Sequence, residues 1–163
     1  VSSAHGPQKN VMAASWAMPL DFDPPKVAVV IDSKTLTREL IEASGEFVLN
    51  IPARAIADKV LAVGSASGRD VDKFTAYGIK PVSASKVAAP LIDGCVAWLE
   101  CKVIPELLNQ KRYDLFIGEV VAAWADPRVF SDGRWQFVNE NTATIHYVAG
   151  GSFFATGESF EIK

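Results

Sequence analysis

The stretch VAWLECKVIPELLNQKRYDLFIGEVVAAWAD, residues 96–126, decides the fold class of this chain. Residues 96–108 and 113–126 are rich in β-branched, aromatic and other apolar side chains, which is typical of long extended segments. The short polar sequence NQKR links them. This arrangement predicts an antiparallel β-hairpin.

Further strands are predicted on both sides of this hairpin. They are residues 10–18, residues 26–32, residues 46–52 and two short pieces around Gly150 and Gly151. Residues 21–25 are a break, because Pro24 and Pro25 cannot donate ladder hydrogen bonds. The opening VSSAHGPQKN resembles the end of a strand and a turn, so we expect the N-terminal strand to be incomplete.

Three shorter segments have features of helices. Residues 33–45 have apolar residues at helical spacing and end at Gly45, residues 53–64 place Ile56, Val60 and Leu61 on one side, and residues 65–78 are a polar loop that enters a short helix. Strands outnumber helices and lack the regular βαβ alternation. We therefore expect one mainly β domain over residues 1–163, a closed antiparallel β-barrel with a few flanking helices.

Composition excludes several classes of protein. The chain is 49% hydrophobic and 21% charged, which is typical of a globular protein, and its net charge of -3 argues against nucleic acid as a partner. Apolar runs such as VAVVI are too short to span a bilayer, so no membrane partner is expected.

The two cysteines, Cys95 and Cys101, fall in one extended segment, where six strand steps separate them by roughly 20 Å. A disulfide within that strand is therefore excluded, and reduced thiols favour a cytoplasmic protein. The cysteines and the two histidines lack the spacing of metal ligands, so no metal is expected.

Several catalytic motifs are missing from the sequence. It contains neither G-x-G-x-x-G nor the P-loop pattern, and no G-x-S-x-G elbow. Asp70 and Asp72 form a pair of carboxylates, but Arg69 and Lys73 flank them, which favours a solvated or helix-capping role. No catalytic residue is assigned from these patterns.

Two polar segments could hold an anion. In residues 64–74, Gly64 and Gly68 permit close backbone approach, while Arg69 and Lys73 bring positive charge to a helix start. Many loops that enter helices look the same. In residues 33–38, three hydroxyls and two cations lie at the start of another helix. Simple N-capping explains one of those hydroxyls, but not all of them.

The segment NVMAASW, residues 10–16, is an unusual strand sequence because its centre is built from small residues. Ala13, Ala14 and Ser15 leave the backbone open to a flat molecule whose polar edge can bond main-chain groups. Trp16 could pack on that molecule or fill the core.

Taken in order, these segments resemble the flavin reductase-like family, which includes the flavoredoxins and the FMN-binding small components of two-component oxygenases. The resemblance rests on KNVMAASWAMPLDFDPPKVAVVID, SKTLTRELIEASGEFVLNIP, GSASGRDVDKFTAYGI, APLIDGCVAWLECKV, LFIGEVVAAW and HYVAGGSFFATGE, and covers about residues 9–158. It implies a split, Greek-key-like antiparallel β-barrel that binds FMN, usually as a homodimer.

The resemblance also implies which residues bind the cofactor. Residues 10–16 would lie along the flavin, and residues 33–37 would hold its phosphate and ribityl chain. Lys73 is the first candidate for the cation that binds the phosphate, and Arg69 is the second. The complete candidate set is Asn10, Met12, Ala13, Ala14, Ser15, Trp16, Ser33, Lys34, Thr35, Thr37, Ser67, Gly68, Arg69, Lys73, Tyr113 and Phe153.

Two positions depart from the family pattern. Ala13 stands where relatives often have threonine, and Tyr113 stands where many relatives have a histidine near the flavin. A tyrosine side chain donates a hydrogen bond but does not titrate near neutral pH as histidine does. The first change removes a hydroxyl contact to the flavin, and the second bears on any proton-donor role that the resemblance would imply.

The leading hypothesis is an FMN-binding oxidoreductase, like a flavin reductase or a flavoredoxin, that takes electrons from NADH or NADPH or from a protein partner. A redox protein or an oxygenase component would be that partner. The alternatives are a non-enzymatic flavin or haem carrier or sensor, and an interaction module with an empty site.

Overall fold

The computed structural model describes residues 1–162, and these residues form mostly β-structure. The strands are β1 (Ser2–His5), β2 (Gln8–Val11), β3 (Ala17–Phe22), β4 (Pro25–Val30), β5 (Glu46–Pro52), β6 (Pro81–Val82), β7 (Leu91–Ile92), β8 (Cys95–Ile104), β9 (Leu115–Ala125), β10 (Phe130–Ser131), β11 (Arg134–Trp135), β12 (Ile145–Ala149) and β13 (Ser152–Ala155). Seven of them form one antiparallel sheet in the order β2-β1-β5-β8-β9-β4-β3. The mainly β prediction is confirmed.

Short helices occupy the connections between strands. They are α1 (Leu36–Ser44), α2 (Ala57–Ser65), α3 (Lys73–Ala76) and α4 (Leu107–Tyr113), with single 3₁₀ turns at Arg54–Ile56 and Glu140–Thr142. Helix α1 ends at Gly45, which takes a left-handed conformation with φ of 71°, as predicted. Asp72 caps α3 by accepting hydrogen bonds from the amides of Phe74 and Thr75, which confirms its capping role.

The predicted hairpin of residues 96–126 is confirmed as β8 and β9, which pair antiparallel with Trp98 opposite Trp124. Its connection is longer than predicted, because β8 ends at Ile104 and residues 107–113 form α4 rather than strand and a short link. Pro105 has no N–H for the ladder, which explains why the strand ends before it.

The predicted strand at residues 10–18 is wrong in its middle. Strand β2 ends at Val11 and β3 begins at Ala17, so residues 12–16 form a linker that belongs to no strand. This linker joins the two outermost strands of the seven-stranded sheet. A flat sheet of that order would be roughly 29 Å wide, but six residue steps span at most about 22 Å, so the sheet must curl until its edges approach.

The curled sheet encloses the main apolar core, which includes Val29, Ile31, Phe47 and Phe116. Met12 and Ala14 pack against this core, whereas Ala13 packs with Val11 against a second cluster under α2 and α3. The linker therefore keeps the alternation of an extended strand although it pairs with none.

The N-terminal residues contain more structure than the sequence indicated. Residues 2–5 and 8–11 form the β1–β2 hairpin, with Gly6 at a positive φ in its turn. That the first strand is incomplete stays a prediction.

The cysteine prediction is confirmed, because Cys95 and Cys101 lie in β8 as free, buried thiols. Burial raises the pKa of each thiol to about 12, so both are protonated and unreactive.

Within residues 1–162, no helix combines the length and the apolar composition that crossing a bilayer requires.

A buried carboxylate fastens the 83–90 loop to the outside of the sheet. Glu100 on β8 is fully buried and accepts hydrogen bonds from the Ser85 amide and hydroxyl, the Lys86 amide and Trp124 Nε1, at 2.5–3.0 Å. Within residues 1–162 it makes no ion pair. The loop therefore depends on one ionised side chain.

This arrangement predicts a loss of stability in acid. Burial alone raises the pKa of Glu100, but the hydrogen bonds from Ser85, Trp124 and Lys86 outweigh it and hold the pKa below its ordinary value of 4.5. The folded state then binds fewer protons, so this stabilisation is present above pH 4.5 and is lost as pH falls through the folded pKa. Urea titrations between pH 3 and 7 should show the decline, and Glu100→Gln should reduce it; an equal decline in both proteins would contradict it.

Candidate functional site

The main-chain groups of three consecutive linker residues have no hydrogen-bond partner among the residues that the structure describes. Its ends are fixed, because the Met12 amide donates to the Val1 carbonyl at 2.9 Å and the Trp16 carbonyl accepts from the Val30 amide at 3.0 Å. Between them, the main-chain groups of Ala13, Ala14 and Ser15 make no hydrogen bond within residues 1–162. Ala13 and Ala14 are half-buried and Ser15 is exposed. Half-buried peptide groups are normally paired, so these donors and acceptors are available to a ligand.

A cavity of about 560 Å³ lies against this linker. Met12, Ala13, Ala14 and Ser15 form part of its wall. The remaining lining comes from β5, α2, the β12–β13 hairpin and apolar residues that include Ile79 and Ile92. Its volume falls within the roughly 300–1,000 Å³ typical of small-molecule sites.

The small residue at position 13 has a packing reason. The Cβ of Ala13 faces Gly64 of α2, and a Cβ added at Gly64 would lie 3.1 Å from it. The helix therefore approaches the linker closely because both positions are small.

Beyond Trp16, a polar surface opens at the end of β4 and the start of β9. Trp16 is 73% exposed, so of the two roles considered for it, filling the core is excluded. The Ile31 amide donates to the Asp114 carbonyl at 2.9 Å, which brings exposed Tyr113 beside the residues that follow β4. Ser33 and Lys34 are exposed there, at the entry to α1.

The start of α1 combines a side-chain cap with free polar groups. Thr35 is the N-cap, and its hydroxyl accepts from the Arg38 amide at 3.2 Å. The first turn of a helix leaves further N–H groups unpaired and favours negative charge. Lys34 makes no ion pair within residues 1–162, so its charge is available at this helix start.

Another group of the predicted residues forms an internal contact beside α1. Asn10 and Thr37 are buried, and the side-chain Nδ2 of Asn10 donates a hydrogen bond to the Thr37 hydroxyl at 2.9 Å. Ser67 accepts from the Arg69 amide, and the Arg69 side chain pairs with Glu39 at 2.9 Å. These residues connect β2, α1 and the 66–72 loop.

Gly68 is expected to be essential to this contact. A Cβ at Gly68 would lie 2.6 Å from Cγ and 2.8 Å from Nδ2 of Asn10, and the position has no positive φ. Gly68→Ala should therefore lower the free energy of unfolding by about 2 kcal/mol through overpacking. Urea unfolding measures the effect, with Gly157→Ala as the control, because a Cβ there meets nothing within 4 Å. Equal stability of the two variants would contradict this account.

Lys73 differs most from its expected position. It is only 4% exposed, and its ammonium donates to the carbonyls of Val11 and Val63 at 3.0 and 2.7 Å. Burial lowers the pKa of Lys73. The positive charge therefore lies behind the linker, between β2 and α2, rather than at the exposed surface around Lys34.

The candidate residues thus occupy distinct places around the linker. Met12–Ser15 and Phe153 line the cavity, while Trp16, Ser33, Lys34, Thr35 and Tyr113 surround the exposed surface at the start of α1. Asn10, Thr37, Ser67, Gly68, Arg69 and Lys73 support the linker and α1 from inside or beside them. Within residues 1–162, no group of three or more His, Cys, Asp or Glu side chains could hold a metal ion.

The structure adds residues that the sequence did not single out. Lys59 from α2 and His146 and Tyr147 from β12 line the cavity. The predicted common side of Ile56, Val60 and Leu61 pointed toward this region, since all three residues line it. The sequence offered no signal for Lys59.

An antiparallel sheet that curls around an apolar core, with a cavity at the linker between its outermost strands, defines a β-barrel protein. The family model for the flavin reductase like domain matches residues 1–146, and the chain belongs to that family. It is 47% identical over 152 residues to the uncharacterized protein YddH of Escherichia coli, covering 93% of this chain and 80% of YddH.

Solved structures agree with this assignment. The FMN-binding domain of a flavin reductases-like enzyme from Shewanella baltica matches with a TM-score of 0.94 and 46% identity, over 99% of this chain and 87% of that chain. The flavoredoxin of Desulfovibrio vulgaris matches with a TM-score of 0.85 and 27% identity, over 99% and 87% of the two chains. The resemblance identified in the sequence is confirmed.

Proposed function

We propose that this protein is an FMN-binding oxidoreductase that passes electrons from NADH, NADPH or a protein partner through bound FMN. One observation carries the proposal: Ala13, Ala14 and Ser15 offer three consecutive unpaired peptide groups at a cavity wall. The polar edge of a flavin ring alternates donors and acceptors, which suits such a row. Membership of the flavin reductase-like family supports the same ligand.

The chain's own residues would position the cofactor. The linker peptides would bond the ring edge, and Phe153 would contact the ring from the far side of the cavity. Bound FMN supplies hydride and electron transfer, so the protein needs no acid–base pair of its own. Tyr113 can donate a hydrogen bond beside the site.

The phosphate of FMN would lie at the start of α1. Ser33 and Thr35 offer hydroxyls there, and exposed Lys34 offers a charge without an ion pair in residues 1–162. The exposure of Lys34 supports it as the phosphate cation in preference to Lys73, whose ammonium bonds two carbonyls. Arg69 is already paired with Glu39.

The decisive experiment is cofactor loading followed by anaerobic reduction. The purified protein should be yellow or should bind added FMN, and NADH or NADPH should bleach the flavin absorbance. A protein that takes up no FMN would overturn the proposal. Bound flavin that neither nucleotide bleaches would instead point to a protein electron donor or to a non-enzymatic carrier.

The proposal includes a homodimer. All six residues of the edge strand β3 are exposed, and they include Met18, Leu20 and Phe22, the last at 98%. An exposed apolar edge strand next to Trp16 needs a cover in water, and a second copy would supply one beside the flavin site. Light scattering should give twice the chain mass, and Phe22→Glu should shift the measured mass toward that of the monomer.

The proposal also includes a redox protein or an oxygenase component as the partner of the dimer. This partner would bind in the cytoplasm, the compartment that the free thiols favour.

A further inference from the structure

The cavity has two walls of different chemistry. One is the linker, whose peptide groups of Ala13, Ala14 and Ser15 are unpaired. The other is the β12–β13 hairpin, which contributes His146, Tyr147 and Phe153, and we refer to these three residues as the aromatic wall. The linker and Phe153 are proposed to contact the flavin, which leaves His146 and Tyr147 of the aromatic wall without a role.

Two rings of the aromatic wall form an ordered pair. Tyr147 and Phe153 are cross-strand partners with ring centroids 5.3 Å apart and an interplanar angle of 65°. Such an edge-to-face pair can accept a third ring in the same geometry. Tyr147 is only half-covered by the protein, so part of its ring is open to a ligand. Val60 and Leu61 of α2 provide aliphatic contacts.

The charges around the cavity set a second condition. Its lining contains Lys59 and His146, but no aspartate or glutamate from the part of the chain that the structure describes. The Lys59 ammonium donates to the Gly78 carbonyl at 2.7 Å, which fixes its position. A ligand with a carboxylate or a carbonyl would meet an attractive potential here, whereas a cation would meet a repulsive one.

From these observations we infer that the aromatic wall binds a single-ring aromatic molecule that is neutral or negatively charged. The inference rests on the proposed function, because this molecule would lie beside the flavin as its reaction partner. It adds the chemical class of that partner, which the linker and the α1 entry leave open.

The test is calorimetric titration of the FMN-loaded protein with three small probes. Benzoate should bind and should perturb the visible absorbance of the flavin. Benzylammonium, with the same ring and the opposite charge, and cyclohexanecarboxylate, with the same charge and no aromatic ring, should each bind at least about fivefold more weakly. Equal binding of all three probes, or benzoate binding without a change in the flavin spectrum, would overturn the inference.

Substitutions locate the binding. Tyr147→Ala should weaken benzoate binding about tenfold, and Tyr147→Leu, which keeps side-chain bulk, should weaken it nearly as much. Phe154→Ala is the matched control, because Phe154 follows Phe153 on β13 but is exposed and outside the cavity lining. Unchanged affinity in both Tyr147 variants, or an equal loss in Phe154→Ala, would contradict the assignment.

Failure of the proposed function is separable from failure of this inference. If the protein takes up no FMN, the oxidoreductase proposal fails, and the same titrations on flavin-free protein still test the aromatic wall. If FMN binds and the aromatic anion shows no preference over the other probes, only the inference fails.

Discussion

Replacing Lys73 with methionine is expected to weaken FMN binding at least about tenfold and to lower the free energy of unfolding by about 2 kcal/mol. Methionine keeps the unbranched apolar stem of the side chain but leaves the carbonyls of Val11 and Val63 without the ammonium donor. The Val11 carbonyl immediately precedes the linker, so its release should loosen the peptide groups proposed to meet the flavin.

Fluorescence titration with FMN and urea unfolding measure the two effects separately. Lys80→Met is the control, because Lys80 is exposed and its one ion pair among the described residues is with Asp93 at 3.6 Å. If Lys73→Met binds FMN normally while losing stability, Lys73 supports the fold alone. If both quantities stay unchanged, its buried charge has neither role.

Replacing Glu100 with glutamine is expected to lower the free energy of unfolding by about 3 kcal/mol at neutral pH. Every described partner of this carboxylate is a donor, from Ser85, Lys86 and Trp124. An amide nitrogen would oppose one of them with another donor. For a chain of this size the loss corresponds to a melting temperature lower by roughly 10 °C.

Thermal and urea unfolding check this value. Glu119→Gln on the adjacent strand β9 is the matched control, since the Glu119 carboxylate accepts no side-chain hydrogen bond within residues 1–162. Trp124→Phe removes a single donor and should lose a smaller part of the stability. Equal stability of Glu100→Gln and Glu119→Gln would show that the 83–90 loop does not depend on this contact.

The sequence predicted what local patterns determine. Long runs of β-branched residues identified β8 and β9, and Gly45 marked the end of α1. The sequence did not predict helix α4, because this helix exposes Leu107 and Leu108 and buries Gln110. That is the reverse of the pattern of an amphipathic helix. The Gln110 carbonyl instead accepts from Arg38, a contact 72 positions away in the chain.

The candidate site was predictable in composition more than in arrangement. Small residues at positions 13–15 signalled an open backbone, and the structure gives that backbone free peptide groups. The burial of Lys73 had no local signal, because it depends on carbonyls supplied by β2 and α2. Likewise, the sequence places Thr37 among the hydroxyls at the start of α1, but its burial depends on Asn10 from β2.

The linker also has a mechanical consequence. Residues 8–22 run from one edge strand of the sheet to the other. The chain itself therefore connects the two edges, where a closed barrel would have strand-to-strand hydrogen bonds. A ligand that hydrogen-bonds to the peptides of Ala13, Ala14 and Ser15 takes the place of a paired strand where the two edges of the sheet meet. Ligand binding then stabilises the closed arrangement of the strands. The melting temperature should therefore rise as the cofactor concentration rises.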